Sequence, residues 1–298
     1  MEPTTIAAIS GGSVLTLGLL KRFFNGGKNS HKPDLTDKIV VITGANTGLG
    51  FIAAKEMAQL NAKIIVFACR SEKRGRDAIE KIKKQTKCEN LEFQPLDLND
   101  LNSVKNFAAN FPYDRIDILL NNAGIMALPK RETTAQGFEK QFGVNHVGHF
   151  LLTKLLLDKV KASEQGRIVN LSSLAHENGK MNLEDLHHEK NYVPWVVYSQ
   201  SKLANIYFTR ELDKRLKQQG VTNVKVCSLH PGVVRTELGR YMFEGKPVRK
   251  AMFMIFGMPF FMLMTKSPWW GTQTSLHCCL MPFEKLDSGK YYSDCKIK

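Results

Sequence analysis

The sequence predicts an α/β protein: a single doubly wound, Rossmann-type domain with a mostly parallel sheet. Three observations support this prediction. Short apolar runs rich in β-branched residues alternate along the chain with longer segments of helical periodicity. A glycine-rich turn separates the first of these runs from the first helical segment. The chain has 298 residues, of which 43% are hydrophobic, and this is enough to bury one large core. Such alternation is typical of right-handed βαβ units with helices on both faces of the sheet.

The chain begins with an apolar segment. Residues 6–20 carry no charge, and Lys21 and Arg22 follow at once. As a helix this run would be about 22 Å long, shorter than the roughly 30 Å hydrocarbon core of a bilayer. Positive charges after the run disfavour a cleaved secretory signal and favour a retained anchor, with the main body on the cytosolic side. We predict an apolar membrane anchor at residues 1–24 and a linker at 25–37; a buried N-terminal helix is the alternative.

The remaining residues, 38–298, are predicted to form the doubly wound domain. Strands are expected at residues 39–42, 64–68, 91–93, 116–120, 167–171 and 224–228. Helices are expected at residues 48–60, 72–84, 101–111 and about 137–161, with a further helix around Tyr198.

The glycine-rich turn, TGANTGLG at residues 43–50, lies between the first strand and the first helix. Glycines there permit a tight turn and a close approach of the backbone to a ligand. The helix N-terminus would present unpaired N–H groups to a pyrophosphate. The spacing is GxxxGxG rather than the common GxGxxG. The prediction of a dinucleotide site therefore depends on the position of the turn between a strand and a helix. The predicted cofactor-binding residues of this turn are Gly44, Asn46, Thr47, Gly48, Leu49 and Gly50.

The second strand is followed by ACRS at residues 68–71. An NAD-binding fold would place an acid here against the ribose 2′-hydroxyl, and none is present. Arg70, supported by Lys73 or Arg74, could instead pair with a 2′-phosphate. The sequence therefore favours NADP(H) over NAD(H); an exposed arginine without a ligand is the alternative.

Tyr198 and Lys202 are four residues apart in a segment of helical periodicity and therefore share one helix face. A free tyrosine ionises near pH ~10, and a neighbouring cation favours the phenolate. The pair is thus a candidate for acid/base chemistry, although the same spacing also occurs on ordinary amphipathic helices.

Polar residues lie at the predicted carboxyl edge of the sheet, where such folds bind ligands. NNAG at residues 121–124 ends the fourth strand, and Ser173 follows the fifth. The Ser173 hydroxyl could hold a substrate carbonyl against Tyr198. Asn145 lies inside a predicted helix, where asparagine is mildly unfavourable, so a function is one explanation and a solvent-facing position is the other.

The composition limits the classes of partner. A net charge of +14 favours anionic partners such as cofactor phosphates or a membrane surface. The basic residues are scattered and form no nucleic-acid-binding motif, so no nucleic acid is predicted. The six cysteines form no CxxC pair or disulfide framework, and they are expected to be reduced core residues. The histidines at 176, 187 and 188 lack ligand spacing, so no metal site is predicted.

Taken in order, TGANTGLG, NNAG, Asn145, Ser173 and YSQSK at residues 198–202 resemble the short-chain dehydrogenase/reductase family over roughly residues 38–240. HPGVVRT at 230–236 and SGKYYSDC at 288–295 are similar to the retinol dehydrogenase branch. The resemblance implies that Tyr198 is the general acid/base and that Ser173 positions the carbonyl oxygen. It further implies that Lys202 binds the nicotinamide ribose and lowers the pKa of Tyr198, and that Asn145 orders a water relay.

The resemblance also implies further cofactor contacts, near the adenine, the ribose and the nicotinamide: Asp97, Leu98, Asn122, Ala123, Gly124, Pro231, Gly232, Val233 and Thr236. The implied activity is hydride transfer between NADP(H) and a lipophilic aldehyde or alcohol of the retinal/retinol kind. A reductase for steroids or other lipid carbonyls, or a non-catalytic NADP-binding scaffold on a membrane or lipid droplet, are the alternatives. The expected location is the cytosolic face of the endoplasmic reticulum or a lipid droplet, and the sequence leaves room for a homodimer.

A second uncharged run occupies residues 251–264, after the position where the family builds a substrate-covering lid. It is too short to span a bilayer, and Pro259 interrupts any single helix. We expect a lid at about residues 237–270 that forms the apolar mouth of the substrate pocket and enters one leaflet. Trp269 and Trp270 would act as interfacial anchors. Burial of the run in the core is the alternative.

Overall fold

The computed structural model describes residues 18–241 and 257–298. Its strands are β1 (Ile39–Thr43), β2 (Ile64–Cys69), β3 (Leu91–Pro95), β4 (Ile118–Asn121), β5 (Gly166–Leu171), β6 (Val224–His230), β7 (Tyr291–Ser293) and β8 (Lys296–Ile297). Its main helices are α1 (Gly48–Ala58), α2 (Glu72–Thr86), α3 (Leu101–Ala109), α4 (Gly148–Lys161), α5 (Pro194–Gln218), α6 (Met258–Met264) and α7 (Pro268–Leu280).

Within the described residues, the strands form one sheet in the order β3-β2-β1-β4-β5-β6-β7-β8. All neighbouring strands are parallel except β7 and β8, which pair antiparallel. The strand order reverses direction next to β1, between β1 and β4, and such switch points are where open α/β sheets bind ligands.

The two faces of the sheet bury two separate cores because successive strand residues point to opposite sides. From β1, Ile42 packs in the cluster that contains Met57 of α1 and Leu276 of α7. The next residue back, Val41, packs in the cluster that contains Leu152 of α4 and Val104 of α3. The predicted doubly wound α/β architecture is therefore confirmed.

The helix predicted at residues 137–161 begins later and is not regular. Gly137 has a left-handed backbone (φ +83°), and a short helical turn starts only at Lys140–Phe142, where the Glu139 carboxylate accepts a hydrogen bond from the Phe142 N–H. A π-helix at Gly143–Val147 then leads into α4. Three further elements, α7, β7 and β8, were not predicted from the sequence. The strands are too short for a periodic pattern, whereas α7 does carry a readable start signal, Ser267 capping ahead of Pro268.

Most of the predicted anchor, residues 1–17, lies outside the described residues, as do residues 242–256 of the predicted lid. Residues 18–25 are helical. None of the helices in the described part of the chain has the length and apolar character needed to cross a bilayer. The predicted linker packs on the domain: Leu35 is buried, and the Asn29 N–H donates to Gln273 in α7.

The described end of the predicted lid forms α6, and Pro259 lies in its first turn rather than interrupting it. Trp269, expected to be an interfacial anchor, is partly buried in α7 and donates its indole N–H to Glu56 of α1 at 3.1 Å. This contact ties α7 to α1 and occupies the polar group that an interfacial tryptophan would present to the membrane surface.

Candidate active site

A cleft opens at the carboxyl ends of β1, β2 and β4. Twelve predicted site residues line it: Gly44, Asn46, Thr47, Gly48, Leu49, Arg70, Asp97, Leu98, Asn122, Ala123, Gly124 and Thr236. Eleven further residues of the described chain line it and were not predicted as site residues: Ala68, Cys69, Ser71, Arg74, Leu96, Asn99, Ile125, Lys140, Val144, Glu237 and Leu238. The structure thus brings the predicted turn, the arginine and the NNAG motif into one groove.

The glycine-rich turn has a backbone that other residues would strain. Gly44 is left-handed (φ +66°), and a Cβ placed on it would lie 3.1 Å from Ala123. Gly50 does not line the cleft; a Cβ there would lie 2.5 Å from the carbonyl oxygen of Gly44. The turn ends at α1, whose first turn has no acidic residue and whose Thr47 side chain makes no capping hydrogen bond. The N–H groups of this helix end therefore suit a pyrophosphate.

Thr43, which the sequence analysis passed over, joins this turn to the NNAG motif. Its hydroxyl oxygen accepts hydrogen bonds from the backbone N–H groups of Asn122 and Ala123, both at 2.9 Å. Its carbonyl oxygen accepts from the Asn122 side chain at 2.8 Å. The hydroxyl also lies 2.9 Å from Nε2 of the buried His149. A signal was present in the sequence, because Thr43 is the first residue of the turn and follows a wholly apolar run.

The outer end of the cleft is basic. Arg70 and Arg74 are exposed, and Arg74 lies in the first turn of α2, where its backbone N–H donates to Ser71. The Arg74 guanidinium pairs with Glu237 at 2.6 Å. At the neighbouring edge Asp97 accepts a hydrogen bond from the Asn99 N–H.

The inner end of the cleft leads to Tyr198 and Lys202 on α5, which are buried at 3% and 4% exposure. Lys202 Nζ lies 5.7 Å from the centre of the Tyr198 ring and donates to the carbonyl oxygen of Leu171 at 3.2 Å. The Ser172 hydroxyl donates to the carbonyl oxygen of Lys202, so the end of β5 is tied to α5. The next residue, Ser173, hydrogen-bonds Tyr198.

Burial sets the protonation of this pair. It raises the pKa of Tyr198 to about 12, while the hydrogen bond from Ser173 acts in the opposite direction. It also lowers the pKa of Lys202 to about 8. The direction of the pKa shift of Tyr198 differs from the prediction, because loss of water around the phenolate outweighs the hydrogen bond from Ser173. The phenol is consequently in its proton-donating form near neutral pH.

Asn145 is fully buried in the π-helix, so the alternative of a solvent-facing side chain is wrong. Its amide exchanges two hydrogen bonds with the backbone of Ile125, each at 2.9 Å, and donates a third to the Ser201 hydroxyl. A Cβ placed on Gly124 would lie 3.3 Å from the Asn145 side-chain oxygen and 3.6 Å from Lys202 Nζ. The cleft and the predicted catalytic residues therefore meet at Gly124.

The predicted residues after β6 divide into two groups. Thr236 faces the glycine-rich turn, since a Cβ placed on Gly48 would lie 3.4 Å from its methyl group. Pro231, Gly232 and Val233 do not line the cleft; Val233 is 55% exposed, and its carbonyl oxygen accepts from the Lys266 N–H. This loop is thereby joined to the segment after α6.

Behind Ser173, two further residues brace the end of β5. His176 Nδ1 lies 2.7 Å from the carbonyl oxygen of Ser173, and the His176 ring makes an edge contact with Tyr291 of β7. Asn205 donates to the carbonyl oxygens of both Asn145 and Leu171. His176 and Asn205 were given no role from the sequence, because Tyr291, which His176 contacts, and the two carbonyl groups that Asn205 bonds are distant along the chain.

Comparisons with known proteins agree with this geometry. Residues 38–247 match the family described as short chain dehydrogenase. The chain is 45% identical over 284 residues to retinol dehydrogenase 12 of Mus musculus, covering 95% of this chain and 85% of that protein. It is 42% identical over 299 residues to retinol dehydrogenase 13 of Homo sapiens, covering 99% and 86%. Among solved structures, a short chain dehydrogenase from Escherichia coli CFT073 complexed with NADPH superposes with a TM-score of 0.66 at 22% identity, covering 88% of this chain and 98% of that one.

Proposed function

The chain belongs to the short chain dehydrogenase family, and from this premise we propose that it transfers hydride between NADP(H) and a lipophilic aldehyde or alcohol of the retinal/retinol kind. The observation that carries the proposal is the buried group of Asn145, Tyr198 and Lys202 at the inner end of the cleft, with Ser173 against Tyr198. The names of the similar proteins support the substrate class.

In this proposal, the glycine-rich turn, Arg70 and the NNAG motif would hold the dinucleotide, whose nicotinamide would supply or accept the hydride. The Tyr198 phenol gives its proton to the carbonyl oxygen in reduction, and the phenolate takes a proton from the alcohol in oxidation. Ser173 holds the substrate oxygen beside the phenol, which lowers the entropic cost of reaching a reactive geometry. Lys202 supplies a positive charge next to the tyrosine, and Asn145 fixes the backbone of Ile125 beside Gly124.

A panel of substrates tests this function. Retinaldehyde, medium-chain aldehydes and ketosteroids would each be mixed with NADPH and the full chain, and NADPH absorbance would be followed. Fastest consumption with retinaldehyde is expected. Consumption with ketosteroids alone would favour a steroid reductase. No consumption of NADPH with any of these substrates would favour a non-catalytic scaffold. A scaffold would not need the side chains of Asn145, Ser173, Tyr198 and Lys202 to be gathered at one point.

The preference for NADP(H) rests on Arg70 and on the absence of an acid at residues 68–71. Arg70→Asp replaces a cation that would pair with the 2′-phosphate by an anion that repels it. We expect the dissociation constant for NADPH to rise at least ~10-fold, with a change of only a few fold for NADH. Fluorescence titration of both dinucleotides measures this difference.

Arg76→Asp is the matched control for this prediction. Arg76 lies six residues after Arg70, in α2, where it pairs with Glu72 and does not line the cleft. The same change of charge at Arg76 should leave the preference nearly unaltered. Equal losses for NADPH in the two variants would mean that general charge, and not a contact with the phosphate, determines the affinity.

We also propose that the protein attaches to a membrane surface facing the cytosol, at the endoplasmic reticulum or a lipid droplet. Apolar side chains on two helices support this: Phe23 in the helix at residues 18–25 is 77% exposed, and Phe260 in α6 is 65% exposed. Lys21 joins these helices, because its ammonium donates to the carbonyl oxygens of Met262 and Thr265 at 2.7 and 2.6 Å. Exposed apolar side chains next to basic ones fit an interfacial surface.

The role of α6 can be tested in the full chain by replacing Phe260, Met262 and Met264, its exposed residues, with serine. The variant should bind anionic liposomes more weakly and show a KM raised several-fold more for long apolar aldehydes than for short ones. Liposome flotation and steady-state kinetics measure the two effects. Leu183→Ser is the control, since Leu183 is 80% exposed but lies in the segment between β5 and α5. Unchanged liposome binding and unchanged KM values would contradict the proposal that α6 lies at the membrane and forms the mouth of the substrate pocket.

A further inference from the structure

We propose that Glu237 sets how strongly this protein prefers NADPH over NADH, by competing with the 2′-phosphate for Arg74. The inference rests on the proposed NADP(H) function. Glu237 is far along the chain from residues 68–71, the segment after β2 on which the preference for NADP(H) was predicted.

The observation is an ion pair across the cleft. Arg74 Nη2 lies 2.6 Å from Glu237 Oε2, although the two residues are 163 positions apart in the sequence. Both residues line the cleft, and their side chains are 50% and 54% exposed. Arg74 comes from the first turn of α2, and Glu237 begins a 3₁₀ turn, Glu237–Tyr241, after β6.

The pair lies where the adenosine end of a dinucleotide would be held. Arg74 follows Arg70 by four residues in the chain, and its backbone N–H donates to the Ser71 hydroxyl, the cap of α2. On the other side, Thr236 contacts the glycine-rich turn beside Gly48. The segment containing Thr236 and Glu237 therefore reaches from the N-terminus of α1 to the N-terminus of α2. A dinucleotide lying in the cleft between these helix ends must meet the ion pair.

A carboxylate and a phosphate compete for the same guanidinium. Arginine binds either one through parallel N–H donors, so Arg74 cannot give its best geometry to both. The Glu237 carboxylate would also repel a nearby 2′-phosphate. With NADH the group at this position is a neutral hydroxyl, which can donate to a carboxylate. Glu237 thus disfavours NADPH while it accommodates NADH, and it supplies the acid that is missing after β2.

The expected effect is moderate because both partners are half-exposed. Pairs of this kind are weak in water and are screened by salt. Removing the competing charge should tighten NADPH binding about two- to five-fold. The gain should shrink as the salt concentration rises.

The test is Glu237→Gln in the full chain, with the dissociation constants for NADPH and NADH measured by fluorescence titration. We expect NADPH to bind about two- to five-fold more tightly and NADH to bind equally or slightly more weakly. In an Arg74→Gln background, Glu237→Gln should tighten NADPH less than it does in the wild type, because the contested cation is gone and only the direct repulsion of the phosphate remains. Glu72→Gln is the control: Glu72 is an exposed acid of α2 that pairs with Arg76 outside the cleft, and its loss should change neither constant.

Unchanged or weaker NADPH binding in Glu237→Gln, with normal binding by the wild type, would overturn this inference alone. The same would follow if the gain were undiminished without Arg74, since Glu237 would then not act through competition for that arginine. If the wild type bound no NADPH, the proposed function and this inference would fail together. Circular dichroism of each variant separates these outcomes from a loss of folding.

Discussion

Replacing Tyr198 with phenylalanine is expected to lower turnover by about 10²–10⁴-fold while the affinity for NADPH changes by only a few fold. The ring is buried at 3% exposure and packs edge-on against Trp195 at 6.0 Å, and a phenyl ring keeps this packing. What is lost is the hydroxyl that hydrogen-bonds Ser173. The substitution therefore removes the proton donor without disturbing the cleft.

Single-turnover kinetics with NADPH and retinaldehyde measure the loss, and a titration of NADPH in the absence of substrate measures the affinity. Tyr207→Phe is the matched control, because Tyr207 lies on the same helix, α5, but is 50% exposed. The control should retain normal turnover. Turnover close to wild type in Tyr198→Phe would exclude the phenol as the acid/base group.

Local patterns in the sequence were enough to predict most of the fold. β1, β2 and β5 are short apolar runs, and α2 shows clear amphipathic spacing, so each was assigned within a few residues. The cleft was predictable for the same reason. Its turn at residues 43–50, Arg70 and the NNAG motif all directly follow strands, and the carboxyl ends of parallel strands meet at one edge.

The features that the sequence did not predict depend on contacts between distant segments. The protonation of Tyr198 depends on how completely α5 is covered, and spacing along a helix carries no information about burial. The π-helix around Asn145 is stabilised by bonds to Ile125 and Ser201, which approach from other elements. Glu237 reaches the cleft from a loop that follows β6.

Replacing Lys202 is also expected to lower turnover strongly and to change its dependence on pH. With a pKa of about 8, its ammonium loses the proton as the pH rises through that value. If the charge beside Tyr198 supports catalysis, wild-type turnover should fall above about pH 8, well before the phenol titrates near 12. Lys202→Met keeps an unbranched side chain at this buried position without the charge. We expect at least ~100-fold lower turnover and no remaining fall near pH 8.

The same substitution is expected to stabilise the protein near neutral pH. Folding lowers the pKa of Lys202 from 10.5 to about 8, so the unfolded chain binds more protons between these values, and the stability of the wild type rises with pH across this window. Below about pH 8 the buried ammonium costs the wild type up to roughly 3 kcal/mol, a cost that methionine avoids. Urea unfolding should therefore show Lys202→Met more stable than the wild type at pH 7, with the difference shrinking toward pH 10. A variant that is less stable at pH 7 and keeps the fall in turnover near pH 8 would show that another group titrates there and that Lys202 is held mainly by its bond to Leu171.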